Sequence, residues 1–339
     1  MRTLKARTVI PLFALVCQGL AVQSMAAEPP ADPHAIWTFQ DENASITTSN
    51  LPDRYYVNGL LLGYTSPTDA VPDFLSDIGH SVWGEAGESR QRFTASISQS
   101  IYTPADTKVF LPPPTDEPYA GVLTANLGLI QDTTDHRSIL GLMAGLIGPD
   151  GGGQIVQNGF HSIIGQKPTK GWADYQIQDE PLVEFLSARI WRISLGSLGG
   201  METDVLPDLS VGLGNLRIYA MTGGVVRIGR GLQSDFGVPR LFPGPNGDYA
   251  YTPVQPFDWY FFAGAHGSGV AHDITINGNS FRTSPSVSLQ PLQGELEIGF
   301  AAIYDGMRIS YTQVFETYSF RTQRGGLHQF GSLAISVEF

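Results

Sequence analysis

The sequence predicts an all-β fold, a twelve-stranded antiparallel transmembrane β-barrel of the bacterial outer membrane. Three observations predict it. Short β-branched and aromatic stretches recur at near-regular spacing in a chain with 39 glycines and only 15% charged residues. Several of these stretches alternate apolar with small or polar side chains, as strands with one face in lipid and one in a lumen must. Their number is even, and the chain ends on an alternating strand that closes on Phe339.

The strands are expected, in order, over 36–46, 55–66, 92–103, 120–131, 137–148 and 181–195. They continue over 208–218, 220–229, 258–269, 288–304, 307–320 and 328–339. In 92–103, Phe93, Ala95, Ile97 and Gln99 share one face, and Thr94, Ser96, Ser98 and Ser100 the other. In the last stretch Leu333, Ile335, Val337 and Phe339 share a face. The connections 132–136 and 304–306 are tight, whereas 67–91, 104–119, 149–180 and 230–257 are long and rich in Gly, Pro and Asp. Short turns on one rim and long loops on the other fit a barrel, and strand parity puts 149–180 on the outer rim. A soluble β-sandwich uses the same alternation.

Ahead of the strands, Arg2, Lys5 and Arg7 precede an apolar run from Val9 to Val22, and Ser24-Met25-Ala26 follows. This is the pattern of a secretory signal peptide over 1–27, leaving one barrel domain over 28–339. The only cysteine, Cys17, falls in the apolar run, so the exported part has no disulfide framework. Losing three positive charges and no negative ones takes the net charge from −12 to −15. Such acidity argues against nucleic acid as a partner, because phosphate binding needs basic patches. No stretch after the signal is apolar for 18 residues, so no membrane-spanning helix is expected.

Two segments hold residues with chemical potential. The run "GPDGGGQIVQNGFHSIIG" (148–165) lacks the Lys-Ser/Thr that a phosphate loop needs. It reads as a turn followed by a helix, with Ile155, Phe160, Ile163 and Ile164 able to pack on one side. Gln154, Gln157, Asn158 and His161 then form one polar stripe. A histidine on such a stripe is either surface decoration or a base facing a site. In the second segment, Asp41, Glu42 and Asn43 supply three consecutive oxygen-bearing side chains near a strand end. Such donors suit Ca²⁺, although the twelve-residue EF-hand pattern is absent. The plain alternative is a strand passing into a polar loop. Neither a G-x-S-x-G elbow nor an H-E-x-x-H zinc motif occurs.

The blocks "DEN…DRYYVNGLLLGYTSP", "SQSIYTP", "DEPYAG", "GLIGPDGGGQIVQNGFHSIIG…KGW" and "DEP", in this order over about 36–195, resemble the outer-membrane lipid A 3′-O-deacylase family. The resemblance implies a Ca²⁺-dependent esterase that removes the 3′-linked acyloxyacyl group of lipid A. It implies His161 as general base, Asn43 as a calcium ligand, Gln154 as a substrate-orienting residue and Lys108 as a cation near the reacting ester. Its partners would be lipid A or lipopolysaccharide and the outer-membrane bilayer, with the protein acting as a monomer. The chain departs from the family pattern at three positions. Ala44 stands where an aspartate is expected, leaving Asp41 or Glu42 to supply the carboxylate; Val57 replaces a threonine and Lys167 a glutamate. A family member that binds lipopolysaccharide without cleaving it is therefore the alternative, and a passive channel is a third reading.

Overall fold

The computed structural model describes residues 29–47, 54–84, 89–241 and 249–339; the expected signal peptide lies outside them. Twelve antiparallel strands form the wall: β1 (Ile36–Asn43), β2 (Tyr55–Thr65), β3 (Arg90–Thr103), β4 (Ala120–Asp132), β5 (His136–Ile147) and β6 (Glu180–Trp191). The remainder are β7 (Met201–Gly214), β8 (Arg217–Arg230), β9 (Phe257–Asp273), β10 (Leu292–Tyr304), β11 (Met307–Glu316) and β12 (His328–Glu338). Past Arg192, Ile193–Leu198 continues β6 and pairs only with β7, keeping the hairpin's register to Ser194 and shifting it by one residue at a bulge before Gly196. Each strand pairs with its sequence neighbour. The wall closes where β1 meets β12, from Ile36 opposite Glu338 to Asn43 opposite Gly331.

Period-two alternation decides which side chain meets which medium. On β1, Ile36, Thr38, Gln40 and Glu42 are fully buried in the lumen, while Trp37 and Phe39 are about half exposed on the outer wall. Leu62, Ile97, Leu127, Phe185, Phe261 and Ile298 continue the outward apolar surface. Near the termini the outer wall carries an aromatic girdle. Trp37 lies 5.4 Å from Tyr64 and 6.4 Å from Phe339, and Tyr64 lies 5.7 Å from Phe93, centroid to centroid. Such girdles mark the membrane–water interface.

Strand parity sorts the loops. Segments 44–54, 104–119, 148–179, 274–291 and 317–327 lie at one end; both termini, 66–89 and 231–256 lie at the other. Two long segments thus share the terminal, periplasmic end with the tight turns, which corrects the expectation of long loops on one rim only. Their length has physical reasons. Segment 66–89 contains helix α1 (Asp73–Trp83), which packs on the outer wall over Leu129. In segment 231–256 the described residues 231–240 turn back into the barrel, and all of them except Gln233 are buried.

This segment is a plug built on charge. Asp235 accepts hydrogen bonds from Arg227 (2.7 Å), Arg308 (3.2 Å) and Tyr260 (2.8 Å). Arg240 donates to Glu295 (2.9 Å) and Glu297 (2.7 Å), and its Nε lies 3.6 Å from Glu42. Desolvating such charges is costly unless each is paired, and here Asp235 and Arg240 each face opposite charges. A lumen filled this way disfavours the channel reading. One strand boundary also differs from expectation. β7 is 201–214 and β8 begins at 217, so the tight turn at 215–216 falls inside the stretch 208–218 expected as a strand. Pro207 and Asp208, which look like turn residues, sit within β7, where Asp208 faces inward onto His266 at 2.8 Å.

Candidate active site

Helix α2 (Gly153–Ile163) follows a 3₁₀ turn, Pro149–Gly151, in the fifth connection at the outer end. It packs outside the wall on β3 and β4. The glycines of the run explain how. Gly148 and Gly152 adopt φ of 109° and 73°, which side-chain-bearing residues rarely do. A Cβ on Gly121 of β4 would collide with the Gly153 backbone, and one on Gly153 would lie 2.6 Å from the Trp172 ring. Gln99 of β3 donates to the Gly151 carbonyl at 3.2 Å. These glycines let a helix lie directly against a strand; they do not cradle phosphate.

Within the polar stripe of α2, Gln157 and Asn158 are held by the loop that follows the helix. Gln157 is buried, and its Oε1 accepts from Trp172 Nε1 (3.0 Å) and Thr169 Oγ1 (3.1 Å). Asn158 Oδ1 accepts from the Thr169 amide and hydroxyl, each at 2.9 Å. His161 is next along the stripe, and its Nδ1 lies 3.1 Å from the Lys167 carbonyl. A carbonyl can only accept, so the neutral ring carries its proton on Nδ1 and keeps the Nε2 lone pair free. Gln154, one turn earlier, is exposed. The apolar residues expected to pack on one side, Ile155, Phe160, Ile163 and Ile164, are exposed. The reason is the medium, since a helix outside a barrel wall at the membrane meets lipid where a soluble helix meets water.

On β1 the same alternation divides the three oxygen-bearing residues. Asp41 and Asn43 face outward; Glu42 faces the lumen. Glu42 is fully engaged there. It accepts from Tyr56 (2.8 Å), Gln40 (3.0 Å) and the Leu241 amide (2.9 Å) beside Arg240. Glu42 thus cannot share one ion with its two neighbours. Asp41 Oδ1 accepts from Asn58 Nδ2 at 2.9 Å, and Asn58 is the cross-strand partner of Asn43. Asn43 Oδ1 accepts from the Ser45 amide at 2.8 Å. The outer wall therefore presents one carboxylate and two amides together, and this hard-oxygen set fits Ca²⁺. Asn58 was not singled out from the sequence, although it stands in the quoted block "DRYYVNG"; only the cross-strand register reveals it. Ala44 points inward into an apolar cluster with Tyr56, Tyr102 and Ala120, so a carboxylate at that position would face away from this set. Val57 packs with Ile101, Tyr119 and Trp172 beneath the loop.

Lys108 is exposed in 104–119, on an Asx turn in which its amide donates to Asp106 at 2.9 Å. That loop touches the α2 loop: the Lys170 amide donates to the Thr107 carbonyl at 2.8 Å, and Lys170 Nζ lies 4.9 Å from the Phe110 ring. Parity puts β1's donors, Lys108 and His161 at the same end of the barrel, and register sets β2 and β3 between β1 and the α2 platform on β4. At the inner root of 104–119, Glu117 is buried. Burial first, then the charges of Asp273, Asp116 and Glu316, holds its carboxyl well above the usual range.

The profile of the family described as "Outer membrane protein LpxR" matches residues 12–339. The chain belongs to the LpxR family. This is the lipid A 3′-O-deacylase family its motifs resemble, and the protein is an outer-membrane barrel. Among solved structures it is similar to LpxR from Salmonella typhimurium, at 23% identity and TM-score 0.74, covering 90% of this chain and 100% of that one. The β domain of the Bordetella autotransporter BrkA matches at 11% identity and TM-score 0.41, covering 91% and 98%. A search of curated proteins found no match.

Proposed function

We propose that this LpxR-family barrel is a Ca²⁺-dependent lipid A 3′-O-deacylase with His161 as its general base. The observation that supports this most directly is the Lys167 carbonyl at His161 Nδ1, which leaves Nε2 as a free lone pair on a helix beside the outer leaflet. Nε2 takes a proton from water as the water oxygen attacks the ester carbonyl. The imidazolium then returns that proton to the departing 3′ oxygen of the sugar, giving a free hydroxyl and a carboxylic acid. Asp41 and Asn43, with Asn58 beside them, would hold Ca²⁺. The bound ion would polarise the ester carbonyl and offset the developing negative charge. Lys108 and Lys170 offer positive charge to the lipid's phosphates, and Gln154 orients the substrate from the exposed first turn of α2. The apolar face of α2, with Phe110 and Leu111, meets acyl chains. The protein needs no second copy for this chemistry, since every group named comes from one chain.

Val57, packed in an apolar cluster where the family pattern has a threonine hydroxyl, favours, as a second reading, a member that binds lipopolysaccharide without cleaving it. Mass spectrometry of lipid A incubated with purified protein separates the two. Loss of the 3′ acyloxyacyl mass only with Ca²⁺, and only with His161 intact, supports the deacylase. Unchanged lipid A with retained binding supports the second reading.

A further inference from the structure

Helix α1 has three faces. At about 100° per residue, Leu75, Ser76, Gly79 and Trp83 form the side turned to the wall. A Cβ on Gly79 would lie 2.9 Å from Gln91 and 3.1 Å from Leu129 of the outer wall. Asp73, Asp77 and His80 form a polar, exposed side. Between them runs a stripe, Phe74, Ile78 and Val82, exposed by 65%, 46% and 39%. A helix in water would not leave this stripe uncovered while also burying another face.

The surroundings identify what covers it. Leu129, beneath the helix, is the cross-strand partner of Phe93, which belongs to the terminal aromatic girdle. Along the same wall, away from the termini, Ile97 and Leu127 are exposed by about 60% and continue the apolar surface toward mid-membrane. The helix therefore sits at the membrane–water boundary on the terminal side. With one flank against the wall, its apolar stripe and its polar flank are the two that remain for lipid and water. It has no lysine or arginine, so attraction to anionic headgroups contributes nothing and apolar insertion must hold it.

We propose that α1 is an interfacial helix whose Phe74–Ile78–Val82 stripe lies in the acyl chains of the periplasmic leaflet. It anchors the barrel at the end opposite the candidate active site and is independent of the chemistry there. The test uses the full chain with Cys17→Ser, reconstituted in phosphatidylethanolamine-rich vesicles. Single variants Phe74→Cys, Ile78→Cys, Val82→Cys, Asp77→Cys and His80→Cys are nitroxide-labelled, and heat-modifiable gel migration verifies that each barrel is folded. The expected result is a several-fold higher ratio of oxygen to nickel-chelate collisions at 74, 78 and 82 than at 77 and 80. Equal chelate access at all five positions overturns the proposal. So does shielding that arises only on adding periplasmic extract, which would mark a protein partner.

Discussion

The Lys167 carbonyl at His161 Nδ1 favours the tautomer with a free Nε2 lone pair, which the proposed base role needs. Replacing His161 by alanine is expected to lower deacylation about 10²–10⁴-fold, measured as turnover at saturating Ca²⁺, with the barrel still folded. The split of the acidic triplet gives a second contrast. Asp41→Asn should raise the Ca²⁺ concentration needed for half-maximal activity. Glu42→Gln, on the lumen face, should leave that concentration unchanged and lower the melting temperature instead. Glu117 gives a pH signature. Its folded pKa is raised, so the folded state binds the proton more tightly. The stabilisation from its neutral form is complete below about pH 4.5, the unfolded value, and is lost as pH rises toward the folded value. Thermal melts across that range should show the decline, and Glu117→Gln should flatten it. At this scale the sequence was partly legible. His161, Asp41 and Asn43 could be singled out by type and spacing. Three neighbours in a row could not be divided into two faces until the strand's register was known.

Among the elements, α2 depends on two glycines that face one another, Gly121 and Gly153. Gly153→Val should push the helix off β4 at a cost of about 1–3 kcal/mol. The expected reading is a large loss of activity with gel migration of the folded barrel unchanged. The strands themselves were readable because lipid and lumen impose the period-two pattern, which 92–103 displays over its whole length. The seventh strand was misjudged because a barrel interior accepts Pro207 and Asp208, residues that mark turns elsewhere. The helix over 153–163 is legible from its spacing, but what its apolar side packs against is not, because spacing does not tell lipid from protein. Helix α1 was hidden in a loop rich in Pro and Asp, and its stripe is too short to stand out.

For the whole molecule, the plug matters most. Arg240 faces Glu42, Glu295 and Glu297, which come from β1 and β10 on the barrel wall. Arg240→Met would leave three buried carboxylates without their common partner, at a cost of about 3–5 kcal/mol. A lower temperature of the folded-to-unfolded gel shift should report it, and Arg240→Lys should restore part of the loss. No sequence pattern announces such a plug, because its charges are unremarkable until the chain turns inward and their partners close around them.

The strand bearing Asp41 and Asn43 is also the one on which the cylinder is sealed. Without the pairing of the final segment, those oxygens would stand on a loose margin. If the proposed deacylase reading holds, a chain stalled before that closure should be silent toward the lipids around it, and competence should arrive together with the last row of backbone pairings.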